Sequence, residues 1–431
     1  MTAMKGRFNL FQAAMLRWRT LHPYNAVHVA AVCQPFDPAK LEAAIAGQLC
    51  ADGLTGLELD PQRRRYEYRG GPAVVPFEVL AGGGAPGETL RAEIERQLNQ
   101  PFPATGAIVP FRFFALADGD VFHVGLAYDH FVAGGDSIVA LLNDIVARYG
   151  GAPRDTPPPD LYPPTFARLF ARNAGKLVGG LPWLRRTVAS CRRGVRPRYD
   201  DEADGRNVVV FVRLDGAEVA ALLARAKAWD VTFNDLLLAA LLKVLAAHVP
   251  PRAAAARRSD IAVASIVNLR AACGLGLRDA FGQFLSSLRL SHRVPPGTSL
   301  ETLARDVKQE TARIKADRLY LQTLVAMRFN ALVWTFLNDH RRQRLYSKTF
   351  PVWAGLTTLN VNALWTARPG VEMPAGYRRA VPTGPVAPMV VAATTCGTTL
   401  ELGISYRASA LVAPRIARIA SDLQQTLVAL Q

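Results

Sequence analysis

The chain has 431 residues, half of them apolar, and carries 51 Lys and Arg against 35 Asp and Glu, a formal net charge of +16. That length exceeds what one hydrophobic core usually serves, so two domains of roughly 200 residues each are expected, with a cleft between them. Charges recur too often to leave the apolar run of ~18 residues that spans a bilayer, and residues 1–10 lack the apolar core and cleavage site of a secretory signal, so a cytoplasmic protein is the expectation.

In chain order, residues 8–49 read helix, loop, strand (25–33) and helix (38–49). A β-rich segment, 65–79, leads through Gly82, Gly84 and Gly87 to a charged helix over 88–98. Strands 111–117 and 121–129 flank a turn at Asp118 and Gly119. After them Ile138, Leu141, Leu142, Ile145, Val146 and Tyr149 share one face of a helix that Gly150 and Gly151 end. Six prolines cluster over 153–164, and 166–199 then holds nine Arg or Lys and no acid, interleaved with Phe166, Phe170, Leu177, Leu181, Trp183 and Leu184. This stretch reads as a basic linker, either a solvated helix packed on the body or an amphipathic element in peripheral contact with an anionic membrane. The second half reads strand 207–214, helices 216–229 and 234–248, strands 260–268 and 284–291, helix 299–319, strands 356–364, 386–394 and 399–406, and a closing helix 414–430. The domain division is therefore 1–165, a linker over 166–205, and 206–431.

The positive charge steers anionic partners; a phosphorylated carrier, an acidic protein, an anionic membrane and nucleic acid all qualify. Nucleic acid is set aside, because no motif lays out basic and aromatic residues for stacking or groove binding. Cys33, Cys50, Cys191, Cys273 and Cys396 are scattered, without the paired spacing of zinc sites or disulfide frameworks, and read as buried free thiols; no metal is expected. Gly82, Gly84 and Gly87 have dinucleotide-loop spacing, but Pro86 occupies the turn and a plain loop is the better reading. His22, His28, His123, His248, His292 and His340 show no ligand spacing and read as packing or surface residues.

His130 differs from these. Strand alternation puts Phe122, Val124, Leu126, Tyr128 and His130 on one face, so the imidazole emerges at a strand end beside an apolar surface. The turn that follows, with Gly134, Gly135, Asp136 and Ser137, enters a helix whose N–H groups and dipole favour negative charge. An imidazole so placed suits a general base, with an oxyanion held nearby.

The segment Asp129-His130-Phe-Val-Ala-Gly-Gly-Asp-Ser137 resembles the His-His-x-x-x-Asp-Gly-x-Ser signature of condensation domains and wax-ester-synthase-like acyltransferases, members of the chloramphenicol-acetyltransferase superfamily. Pro110–Leu116, Leu141–Gly150, His22–Asn25 and Phe36–Leu41 are similar to family elements, as are Val231–Ala239 with Asn234 and Asp235, Val267–Arg270 and Phe281–Phe284. The resemblance implies an α/β fold of two chloramphenicol-acetyltransferase-like lobes in a V, with His130 midway along a tunnel between them. It implies acyl transfer from a thioester, carried on coenzyme A or on the phosphopantetheine of an acidic acyl or peptidyl carrier protein, to a hydroxyl or amine of a small molecule or lipid, without a permanent cofactor. The alternative is a degenerate member that binds a carrier without turnover.

The motif departs from the family at two positions: Asp129 stands where the first histidine falls and Gly134 where the aspartate falls, with Asp136 two places late. In the family that aspartate braces the loop by pairing with an arginine of the other lobe, for which Arg270 is the candidate. Asp136 is either that brace by another path or the N-cap of a helix whose apolar period starts at Ile138. Asn234 and Asp235 read as a helix cap or, by resemblance, as inter-lobe structure.

Overall fold

The computed structural model describes residues 4–163, 166–249, 257–368 and 370–429. The first three residues, Pro164 of the proline cluster, and Leu430 at the expected end of the last helix lie outside them. Two mixed sheets dominate. The first orders Gly376–Ala380, Asn25–Val32, Val121–Asp129, Phe111–Asp118 and Phe77–Val79; the second orders Asn207–Leu214, Thr399–Arg407, Met389–Cys396, Ala354–Asn360, Ile261–Asn268 and Leu285–His292. Every residue of Asn25–Val32 is buried, as a strand covered on both faces requires.

The first sheet is not built from the first half of the chain alone. Gly376–Ala380 returns from the second half to pair antiparallel with Asn25–Val32, Arg379 opposite His28, which carries second-half side chains into the wall of the first lobe. A two-stranded pairing of Asp160–Leu161 with Ala280–Phe281 crosses in the other direction.

The expected strands and helices lie close to their predicted positions, with corrections that have physical causes. The helix after His130 starts at Gly135, with Gly134 as its N-cap, so Asp136 is inside the first turn and is not the cap. The linker forms three helices, Phe166–Arg172, Ala174–Gly179 and Leu181–Arg193, with Leu169 and Trp183 buried on the body. Helices Tyr320–Thr335 and Asp339–Thr349 were not anticipated. The first is apolar around its circumference and the second strongly polar, so neither shows a clean stripe. Strands Met4–Arg7, Leu57–Asp60, Gly106–Ile108 and Gly376–Ala380 are too short for their alternation to stand out. Cys191 and Cys396 are buried as expected, but Cys33 and Cys50 are exposed and Cys273 is half-buried.

Candidate active site

His130 continues the hydrogen-bonding ladder beyond strand Val121–Asp129, its N–H donating to the Tyr24 carbonyl at 3.0 Å. Its ring stacks on Tyr24, centroids 5.7 Å apart, and meets Tyr128 edge-on at 5.6 Å. Desolvation lowers its pKa to about 4; the Ala133 carbonyl, accepting from the ring, opposes this, and the Arg379 cation adds to it. The ring is therefore neutral at physiological pH.

It faces a cavity of about 500 Å³ walled by both halves of the chain, including Tyr24, Tyr128, Leu184, Met327, Thr357 and Arg379. Gly135 and Asp136, from the first turn of helix Gly135–Tyr149, also line it. Gly135 is required by close approach: a Cβ there would lie 2.8 Å from Leu359 Cδ1 and 3.2 Å from Arg379 Nη1.

Asp136 reaches across to the second half. Its Oδ2 accepts from Arg270 Nε at 2.8 Å and from Asn268 Nδ2 at 3.1 Å, and Arg270 Nη2 donates to Ser137 Oγ at 2.8 Å. The same guanidinium donates to the Ala280 carbonyl at 2.7 Å and lies over the Phe284 ring. Gly134 is what admits this carboxylate, because a Cβ at 134 would lie 2.9 Å from Asp136 Oδ1.

Asp129, in the place of the motif's first histidine, points away from the cavity and pairs with Arg19, whose guanidinium also donates to the Phe102 carbonyl at 3.2 Å. Burial raises its carboxyl to about 6 against the pull of Arg19. Asp235 finds its partners within the second half. Thr232 is the N-cap, Asp235 completes its capping box and accepts from Thr311 Oγ1 at 2.7 Å within the second half, and Asn234 sits half-buried in the same first turn.

Three groups were not singled out from the sequence. Gln283 donates its side-chain amide to the carbonyls of His130 and Ala133, clamping the turn after His130; only its place in the Phe281–Phe284 element hinted at it. Arg379 is 3 % exposed and held by neutral partners, Thr394 Oγ1 at 2.9 Å and the carbonyls of Thr357 and Ala393. Burial lowers its pKa to about 10, so it stays a cation beside His130. Asp144, buried in helix Gly135–Tyr149, gathers Arg154 at 2.8 Å, Arg278 at 2.7 Å and Arg368 at 2.8 Å, two of them from the second half.

No family model matches this sequence, and no curated protein matches it. Among solved structures it is similar, over 99 % of its length and 96 % of theirs, to the first condensation domain of the CDA synthetase, with a TM-score of 0.66 at 14 % identity. The chain has the condensation-domain fold. The starter condensation domain of rhizomide synthetase, in complex with C8-CoA and Leu-SNAC, matches over 99 % of this chain and 94 % of that one (TM-score 0.68, 15 % identity). The epimerization domain from the third module of tyrocidine synthetase B matches over 100 % and 98 % (TM-score 0.63, 15 % identity). In condensation-domain terms the two sheets are the cores of the two chloramphenicol-acetyltransferase-like lobes, and the His130 cavity lies between them.

Proposed function

We propose that this chain is an acyltransferase that moves an acyl group from a thioester, on coenzyme A or a carrier phosphopantetheine, to a hydroxyl or amine, with His130 as general base. The observation that carries the reading is a neutral imidazole, held by two tyrosines and a clamped turn, at the wall of an inter-lobe cavity that also receives a helix N-terminus and the Arg379 cation. The bound C8-CoA and Leu-SNAC of the rhizomide starter domain support thioester substrates here.

In this reading the ring nitrogen on the Ala133 side keeps its proton and the other accepts the acceptor's proton as its oxygen or nitrogen attacks the thioester carbonyl. The carbonyl oxygen becomes an oxyanion facing the first turn of helix Gly135–Tyr149 and Arg379, both of which favour negative charge. Collapse re-forms the carbonyl and breaks the C–S bond; the thiolate leaves and takes the proton from the imidazolium. Asp136, Ser137 and Arg270 support the loop and touch no reacting atom.

Asp129 and Gly134 in place of motif residues favour a second reading, binding of a thioester carrier without turnover. Intact-mass measurement of acyl-loaded carrier and acyl-coenzyme A with a panel of alcohols and amines separates the two. Transfer that falls by about two to four orders of magnitude in His130→Ala supports the base. A folded His130→Ala protein with wild-type turnover overturns it, and donor binding without transfer to any acceptor leaves the binding reading.

A further inference from the structure

Helix Tyr320–Thr335 buries Leu321, Leu324 and Trp334, yet its other side leaves Phe329, Leu332, Val333 and its C-cap Phe336 exposed at 65 %, 62 %, 45 % and 80 %. The spacing i, i+3, i+4, i+7 puts these four on one face over two turns, an apolar patch of the kind that marks an interaction surface. No acidic residue occurs from 318 to 338, whereas Arg328 and Arg341 are exposed beside the patch. The nearest following acid, Asp339, is paired with Arg342 at 2.9 Å.

A second helix lines the His130 cavity with it. Leu181–Arg193 buries Trp183 and turns Arg185, Arg186 and Val188 outward, the last 51 % exposed. The two helices meet near Gly180, where a Cβ would lie 2.3 Å from Gln322 Nε2. Their inner sides form one wall of the His130 cavity, through Leu184 and Thr187 on one and Thr323, Met327 and Asn330 on the other. The outside of this wall is thus apolar and cationic, and its inside leads to the candidate base.

We infer that this wall seats on an anionic bilayer, with Phe329, Leu332, Val333 and Phe336 in the boundary between headgroups and acyl chains and the flanking arginines on the phosphates. Bulky apolar side chains along a helix face flanked by cations and free of acids fit the interfacial mode, in which apolar burial and attraction to anionic lipid act together. An acidic carrier protein would satisfy the arginines but leave the aromatic face to find a matching pocket, whereas a bilayer accepts it without one. Resting on the acyl-transfer reading, the substrate class that follows is a membrane lipid, whose hydroxyl or amine reaches His130 between the two helices.

The test floats the purified full chain with vesicles of equimolar phosphatidylglycerol and phosphatidylcholine, and with phosphatidylcholine alone. Binding to the anionic vesicles, weakened by high salt and reduced about tenfold or more in Phe329→Ser/Phe336→Ser, is the expected result. Both positions are exposed and outside the cavity lining, so the variant should keep its thermal stability and its transfer to a water-soluble acceptor. Absence of wild-type binding, or equal binding by the variant, overturns the proposal. So does a patch that instead holds an acidic carrier protein or a second copy of the chain, seen as loss of that complex in the variant while vesicle binding persists. Vesicle binding does not depend on turnover: wild-type flotation by His130→Ala together with no transfer by the wild type would reject the enzyme reading and leave the membrane face standing.

Discussion

Asp136 and Arg270, 134 positions apart in the sequence, form a buried ion pair with Nε to Oδ2 at 2.8 Å, and that pair ties the turn after His130 to the second lobe. Removing one partner of a buried pair strands the other charge at a cost of about 3–5 kcal/mol, against ~1 kcal/mol for a lost helix cap. Asp136→Asn and Arg270→Gln should each destabilise on the larger scale, and the double variant by clearly less than their sum. Denaturant unfolding of the four proteins measures the coupling. Strict additivity would dismiss the brace.

Gly134 and Asp136 share one space, so restoring the motif's aspartate should harm this protein. Gly134→Asp would push a side chain to within 2.9 Å of the existing carboxylate, and overpacking of that kind costs about 1–3 kcal/mol. In Gly134→Asp/Asp136→Gly the new acid has the vacated space, and most of the lost stability should return. A swap no more stable than Gly134→Asp alone would show that the two positions are not interchangeable routes to Arg270.

The pH profile follows from the burial of His130. A base must be neutral to accept a proton, and with a pKa lowered to about 4 the imidazole remains neutral well below its ordinary 6.5. With a hydroxyl acceptor, which does not itself titrate, kcat/KM should stay level from pH 7 to about 5 and fall only toward about 4. Circular dichroism at each pH separates this from acid unfolding. An acid limb centred near 6.5 would mean that the ring is solvated during the proposed reaction.

In the proposed reaction Arg379 faces the charge that develops on the thioester oxygen. Removal of one preorganised donor of that kind costs about 10²–10³ in kcat. Arg379→Gln should show such a loss with little change in KM, and Arg379→Lys, which keeps the cation, should recover part of it. Equal turnover in the glutamine variant and the wild type would confine Arg379 to its structural bonds with Thr394, Thr357 and Ala393.

Asp144 holds three arginines from two lobes and should matter more to stability than to chemistry. Asp144→Asn strips Arg278 and Arg368 of their carboxylate and leaves Arg154 with Asp52 alone, with an expected loss of about 3–5 kcal/mol. Thermal unfolding reads it directly, and a wild-type Tm would contradict the role.

The sequence by itself determined the elements whose pattern is local. Strand alternation from Phe122 to His130 predicts which way the imidazole points, and the apolar period from Ile138 to Tyr149 predicts the helix beyond it. The order of short motifs along the chain predicts the condensation-domain fold that the structural comparisons bear out. Other features depend on where distant backbone arrives, which no local period encodes. The strand Gly376–Ala380 belongs to a sheet built from residues more than two hundred positions earlier, so Arg379 had no visible link to His130. Gln283 is an ordinary amide until the loop at 282–284 is brought against the carbonyls of His130 and Ala133. At the start of the helix, Gly135 lies where Leu359 and Arg379, from far along the chain, leave no room for a side chain. Helix Tyr320–Thr335 hid for the opposite reason: one apolar side packs on the core and the other stays in the open, and one-dimensional periodicity cannot separate two apolar faces that meet different surroundings.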